Sequence, residues 1–345
     1  MILRCRSCAR VGAALILFGS TWLASVDVFS ARGALAERVE AIGFTVSDME
    51  RSIDFFSNVL TFRKIADIET DDPALGVLRR VPPSRARVVR LRLGGELLEL
   101  TSYRDLPGRP VPPDSRSNDL WFQHVAIIVR DMDAAYARLR AHGVVPISPA
   151  PQRLPDWNPA AGGIRAFYFR DPDGHPLEVL QFPAGKGDPK WHMPTDRVFL
   201  GIDHTAIVVA DTDRSLGFYR DRFGMTVAGT SQNHGPEQER LNDVPGARLR
   251  ITTLKTGKPG PAIEFLEYLS PRDGRPAPPD ARATDLTHWE TTVNTRDATE
   301  AGRLLRAAQV LFVSPGVVRL GSAFGGRRAL LVRDPDGHAV KVVSQ

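Results

Sequence analysis

The sequence predicts an α+β fold made of four strand-helix-three-strand (βαβββ) modules. Two observations carry this, an internal duplication and the period of the apolar residues. The hexapeptide RDPDGH occurs at Arg170–His175 and again at Arg333–His338, and Gly108–Leu120 agrees with Gly274–Leu286 at nine of thirteen positions. A repeat fixes which residues are equivalent, so it is read before any local motif. Ala41 aligns with His204, Asp48 with Asp211, Gly108 with Gly274, His124 with His288 and Glu178 with Lys341, at shifts of 163 to 166 residues. Inside the duplication a weaker repeat relates Ile202–Ser215 to Phe122–Ala135 by apolar pattern, histidine position and the Asp that follows the strand.

In the first module, alternation over Val39–Val46 predicts a strand, and Asp48 caps a helix in which Ile53, Phe56 and Leu60 recur at helical spacing. Strands follow at Phe62–Ile68, Ala86–Leu93 and Glu96–Tyr103, the last two joined through Gly94-Gly95. The second module reads as strand Gln123–Val129, helix Met132–His142 ended by Gly143, and strands Ile164–Phe169 and Leu177–Phe182 around the DPDG turn. The third has strand Ile202–Val209, a helix from Thr212 to Phe223 ended by Gly224, and strands Thr226–Gln232, Leu249–Thr253 and Ala262–Tyr268. The fourth has strand His288–Val293, helix Asp297–Ala308 and a last strand Ala339–Val343. Pro-rich stretches at 104–119 and 270–285 are linkers within each half. The RDPDGH turn assigns His175 and His338 a structural role, since both stand at the turn exit.

The 345 residues, 42% hydrophobic and 25% charged, suit two globular cores. The net charge of +5 comes from scattered arginines without a dense basic run, which argues against nucleic acid as a partner. Residues 1–36 read as a signal peptide: Arg4, Arg6 and Arg10, an apolar stretch Val11–Ala24, and Ala34-Leu35-Ala36 before Glu37. A cut after Ser30 and an uncleaved anchor are the alternatives, although the apolar stretch is shorter than the roughly 20 residues that span a bilayer. Export to the periplasm or medium follows, with no membrane contact in the mature form, and residues before about Glu37 are expected to be absent from the mature protein or to lack packed structure. Both cysteines, Cys5 and Cys8, lie in this segment, so its removal excludes disulfides, thiolate ligands and a cysteine nucleophile together. The expected domains are residues 37–183 and 198–345, joined by a linker at 184–197.

The four modules and the two DPDGH turns resemble the vicinal oxygen chelate superfamily, which includes glyoxalase I, extradiol ring-cleaving dioxygenases and bleomycin-resistance proteins. The resemblance covers residues 38 to 345. It implies two cup-shaped half-barrel domains, each closed by two modules around a divalent metal, with a ligand slot on the first and last strand of each module. Carried over by residue, the first half offers Ala41, Glu99, His124 and Glu178, and the second offers His204, Glu264, His288 and Lys341. Ala41 leaves one slot empty, and the ammonium of Lys341 has no lone pair for a metal. Imidazole and carboxylate suit iron, manganese, zinc or nickel. His204, Ala206 and Val208 share one strand face, so His204 points into a cup if the other face packs on the helix.

On this reading His204, Glu264 and His288 form a two-His, one-carboxylate set of the kind non-haem iron oxygenases use. Glu99, His124 and Glu178 form an oxygen-richer set nearer the glyoxalase pattern. Neither half is complete. Glu290 lies on the same face as His288, with Lys341 on the neighbouring strand as its partner; the pair is either a structural ion pair or a catalytic one beside substrate oxygen. The expected function is therefore a metal-dependent enzyme, dioxygenase-like or glyoxalase/lyase-like, whose small oxygenated substrate chelates the ion through adjacent oxygens. The alternative is a non-catalytic binding protein of the bleomycin-resistance type. Export argues against a glutathione-dependent lyase. No nucleophile elbow, P-loop or dinucleotide fingerprint appears, which leaves hydrolase, kinase and NAD-dependent readings without support.

Overall fold

The computed structural model describes residues 34–345, which form two nine-stranded mixed sheets with helix-lined cores between them. The first module comprises β1 (Arg38–Thr45), α1 (Met49–Asp54), β2 (Arg63–Thr70), α2 (Pro73–Arg79), β3 (Ala86–Leu93) and β4 (Glu96–Tyr103). The second comprises β5 (Gln123–Val129), α3 (Met132–Ala141), the short β6 (Val145–Pro146) and β7 (Gln152–Arg153), β8 (Arg165–Arg170) and β9 (Pro176–Gln181). The third has β10 (Phe199–Val208), α4 (Thr212–Tyr219), β11 (Thr226–His234), α5 (Pro236–Asn242), β12 (Arg248–Lys255) and β13 (Ala262–Ser270). The fourth has β14 (Trp289–Asn294), α6 (Ala298–Ala307), the short β15 (Leu311–Phe312) and β16 (Val318–Arg319), β17 (Arg328–Arg333) and β18 (Ala339–Ser344).

The local signals explain these elements. In every module the first strand runs into an Asp that caps the following helix: Asp48, Asp131, Asp211 and Asp297 each accept a backbone N–H from the first turn. Two helices, α2 and α5, went unpredicted. Each starts at a proline, behind Asp72 or Gly235, and a proline is pre-organised for the first helical position.

The modules pair differently from expectation. One sheet runs β15-β17-β18-β14-β1-β4-β3-β2 and the other β11-β12-β13-β10-β5-β9-β8-β6, with β16 and β7 attached to β17 and β8. Module one thus closes a cup with module four, and module two with module three, through antiparallel pairing of β1 with β14 and of β10 with β5. Each sequence half does share a core, but on the helical side. Phe56, Val89 and Leu98 of module one pack in one cluster with Met132, Leu139 and Phe167 of module two. Tyr219 and Phe265 of module three likewise join Leu305 and Val342 of module four.

The repeated motifs hold the pairs together. His175 contacts Asp171 Oδ2 through Nδ1 at 2.8 Å and the Leu286 carbonyl through Nε2 at 2.7 Å; His338 Nε2 meets the Val208 carbonyl at 2.9 Å. Both histidines therefore tie their turn to another module. The two Pro-rich arms clasp each other: Arg109 binds Asp285 and Arg275 binds Asp119, with closest contacts of 2.6 and 2.7 Å. A Cβ on Gly108 would come within 1.7 Å of the Thr284 carbonyl oxygen, and one on Gly274 within 1.9 Å of that of Asn118, so the repeated glycines are required by backbone approach.

Residues 1–33 of the expected signal lie outside the described residues. Leu35 and Ala36, however, are buried against Phe223 and Met225, and the Ala36 amide donates to the Phe223 carbonyl at 2.8 Å. Packed structure thus begins two residues before Glu37, where the apolar side chains of Leu35 and Ala36 complete the helix-side core.

Candidate metal centre

The cup of modules two and three gathers His124 from β5, Glu178 from β9, and His204 and Glu264 from β10 and β13. His124, Glu178 and His204 offer ligand atoms all within 4.8 Å of one another. His124 Nε2 lies 3.1 Å from Glu178 Oε2, and His204 Nε2 lies 3.7 Å from Glu178 Oε2 and 3.5 Å from Glu264 Oε1. Strand alternation places these side chains. Ala206 and Val208 face into the cup beside Phe122 and Tyr168, whereas Ile207 and Val209 face the helical core.

Around these four stand further groups that orient them. A bulge in β10 between Ile202 and His204 turns Asp203 toward the same site. Asp203 accepts from His204 Nδ1 at 3.0 Å and from Trp191 Nε1 at 3.1 Å, which leaves His204 Nε2 to face the carboxylates. Thr253 Oγ1 donates to Glu264 Oε2 at 2.9 Å, and Tyr168 lies across the β8–β9 ladder from Glu178. A cavity of about 500 Å³ opens over Glu178, His204 and Glu264. One wall is apolar, with Leu154, Leu180 and Phe182; the other is polar, with Thr230, Asn233 and Gln238.

This donor set fits a divalent metal. His204 Nε2 is buried without a hydrogen-bond partner although it faces two carboxylates, and a buried polar atom of that kind calls for a partner. Ligands about 2 Å from one ion stand on the order of 3 Å apart, close to the separations observed. Burial alone would lower the pKa of His204, but Glu264, Asp203 and Glu178 raise it to about 10, which means the site carries an excess of negative charge that a cation relieves.

The other cup has the same geometry and different chemistry. Across its central pair Ala41 faces Thr292 and Gly43 faces Glu290, as His204 faces Ala126 and Ala206 faces His124. Hence Glu290, not His288, is the counterpart of His124. Glu99 and Lys341 occupy the positions of Glu264 and Glu178. Lys341 Nζ contacts Glu99 Oε1 at 2.7 Å and Glu290 Oε2 at 3.2 Å. Arg79, the last residue of α2, donates to both oxygens of Glu290 at 2.7 and 3.0 Å. Burial would raise the pKa of both carboxyl groups, yet Lys341, Arg90 and Arg79 hold Glu99 at about 2, and Arg79 and Lys341 hold Glu290 well below the usual range. A buried cluster of paired charges takes the ligand positions of this cup, where the cup of modules two and three has a metal-type donor set.

Two expected groupings therefore change. His204 and Glu264 lie in a different cup from His288, so they do not form the anticipated iron-type triad; Glu99 is likewise separated from His124 and Glu178. His288 lies beyond the ligand position, with Nε2 3.1 Å from Glu290 Oε1. Glu290 and Lys341 bind each other as anticipated, but they do so as buried members of the ion cluster rather than as groups lining the open cavity. Sequence reasoning missed Asp203, Thr253 and Arg79. The bulge and the proline-initiated helix that place Asp203 and Arg79 were the signals available.

Comparison with known proteins agrees with this architecture. Residues 38–179 and 201–342 each match the Glyoxalase/Bleomycin resistance protein/Dioxygenase superfamily. A 2-epi-5-epi-valiolone epimerase from Actinomyces sp. is 34% identical over 157 residues, covering 44% of this chain and 82% of that protein. The uncharacterized protein YaeR of Escherichia coli (strain K12) is 33% identical over 96 residues, covering 26% of this chain and 63% of its own. The crystal structure of glyoxalase I from Zea mays superposes with a TM-score of 0.58 at 16% identity, over 89% of this chain and 92% of that one. Two matched halves, four paired modules and a cup lined by histidine and glutamate together show that this chain belongs to the Glyoxalase/Bleomycin resistance protein/Dioxygenase superfamily, the vicinal oxygen chelate group.

Proposed function

We propose that the chain is a metal-dependent enzyme that moves a proton on a carbon beside a carbonyl of a small oxygenated substrate, an isomerase or glyoxalase-type reaction. The carrying observation is that Glu178 and Glu264, one from each module, both face His204 at one cavity, with His124 beside Glu178. His124, Glu178, His204 and Glu264 would hold a divalent ion, whether iron, manganese, zinc or nickel, which would supply Lewis-acid polarisation of the substrate oxygens. Glu178 or Glu264 takes the proton from carbon, and the other returns it. Asp203 keeps His204 in the tautomer whose Nε2 faces the site. The apolar wall excludes water from the exchanging proton while the polar wall fixes the hydroxyl groups.

Two considerations favour this over oxygen activation. The two-His, one-carboxylate set that assembles, His124, His204 and Glu178, is joined by a second carboxylate, Glu264, 3.5 Å from His204, where oxygen activation needs open positions, and the Actinomyces relative is named an epimerase, a reaction that needs an acid and a base at one carbon. The test is metal analysis of the purified protein together with proton–deuterium exchange of α-hydroxyketone substrates in heavy water. One divalent ion per chain and metal-dependent exchange support the proposal. Oxygen consumption with substrate would replace it with a dioxygenase, and tight ligand binding without metal or turnover would replace it with sequestration.

We also propose export, from the basic start and apolar stretch before residue 25. A cut after Ser30 spares the packed Leu35 and Ala36, whereas one after Ala36 removes them from the core. The N-terminal sequence of the processed protein tests this: a start at Glu37 overturns the Ser30 cut, and an unprocessed chain retained in the cytosol overturns export. Among the described residues no helix is long and apolar enough to cross a membrane.

A further inference from the structure

The two cups each keep an open cavity in the same place, and the lining has changed sign between them. In the cup of modules one and four the cavity is about 490 Å³ and is lined by Arg38, Glu40, Arg90, Asn294 and Arg327. Strand register makes these the counterparts of lining or flanking residues in the metal-type cup. Arg38 pairs with Asn294 as Gly201 pairs with Ile128, and Arg90 lies opposite Glu99 as Thr253 lies opposite Glu264. Arg327 precedes β17 as Ile164 precedes β8, and Glu40 sits in the bulge of β1 as Asp203 sits in that of β10. Three guanidinium groups thus replace a glycine, a threonine and an isoleucine.

Their charge is not used up internally. Glu40 accepts Arg327 Nη1 and Nη2 at 2.8 and 2.6 Å, and Glu99 accepts Arg90 Nε at 2.9 Å. Arg90 Nη1 stands 3.9 Å from Glu40, and the side chain of Arg38, exposed at the rim, has no hydrogen bond or ion pair among the described residues. Arg327 Nε and Asn294 Oδ1 are buried without partners. With Lys341 and Arg79 behind them already neutralising Glu99 and Glu290, the lining presents three cations to two carboxylates, that of Glu40 and the terminal one of Gln345. Guanidinium forks match the paired oxygens of carboxylate and phosphate groups.

We propose that the cup of modules one and four is a metal-free binding site for a small organic oxyanion, a carboxylate or a phosphate ester, engaged by Arg38, Arg90 and Arg327. The site is separate from the metal centre and does not depend on its reaction. Calorimetric titration of the full chain with succinate and with inorganic phosphate, in the presence of a chelator, tests it. Saturable binding at one site per chain is expected, weakened about tenfold or more by Arg38→Met and unchanged by Lys255→Met, which alters the rim of the other cavity. Arg38 is exposed and unpaired, so its replacement leaves the fold intact. Binding of succinate alone assigns a carboxylate ligand, binding of phosphate alone a phosphate ligand, and binding of both the shared chemistry. Absence of saturable binding at millimolar concentrations, or equal affinity in Arg38→Met, overturns the proposal.

Discussion

His124 and Glu290 hold the same position in the two cups: each lies on the first strand of its module, opposite the residue two beyond His204 or Ala41 on the facing strand. In one cup that position supplies an imidazole beside Glu178; in the other it supplies a carboxylate between Arg79 and Lys341. One substitution at this place, with Lys341 for glutamate and Ala41 for histidine, separates a metal-type site from an ion cluster.

Metal content is expected to follow the cup of modules two and three. His204→Ala and His124→Ala should each lose bound metal, while His288→Ala should keep the wild-type amount, as read by elemental analysis of the purified proteins. Loss of metal in His288→Ala with retention in His124→Ala would refute this assignment.

Asp203 orients His204, and groups that orient a ligand are worth about 10- to 100-fold in metal affinity. Asp203→Asn is therefore expected to weaken binding by that range in a competition titration, with little change in the fold monitored by circular dichroism. An unchanged affinity would remove Asp203 from the site's design.

The proton on His204 should make the metal-free protein sensitive to alkali. Its folded pKa, about 10, is above the usual 6.5, so its contribution is fully present below 6.5 and is lost as pH rises toward 10. The contribution is on the order of a few kcal/mol. Melting temperature in chelator should fall across this window more in the wild type than in His204→Ala, and saturating metal, which displaces the proton, should flatten the profile. Parallel profiles for the two proteins would contradict this.

Lys341 serves the ion cluster. Lys341→Met leaves Glu99 and Glu290 short of a partner inside the protein and should destabilise it by roughly 3–5 kcal/mol in urea unfolding. Lys341→Glu should be worse, since it places a third carboxylate beside two and does not gain metal: with Ala41 and Glu290 in place, the imidazoles of the other cup are missing. Uptake of metal by this variant's cup would show that charge, not ligand type, keeps the ion out.

The repeated glycines of the arms should not tolerate a side chain. Gly108→Ala and Gly274→Ala each force a Cβ into the opposing backbone and are expected to lower the melting temperature by several degrees, together with faster proteolysis in 104–119 and 270–285.

The sequence alone determined the four modules, the first strand of each and the helix that follows it, the capping Asp48, and the candidates His124, Glu178, His204 and Glu264. These are local properties: apolar period, turn chemistry and duplication are written in neighbouring residues. Only the tertiary structure decided which modules share a cup, because the free edge of a first strand offers the same backbone groups to any partner, and the arms reach across the halves through contacts such as Arg109 with Asp285. It also decided between His288 and Glu290 as the counterpart of His124. The two are two residues apart and so share a strand face; alternation cannot separate them, and matching histidine to histidine in FQHVAIIV and LTHWETTV selects the wrong one. The hydrogen-bond register of β14 on β1 settles it, and with it the division of one duplicated chain into a metal-type cup and a cationic one.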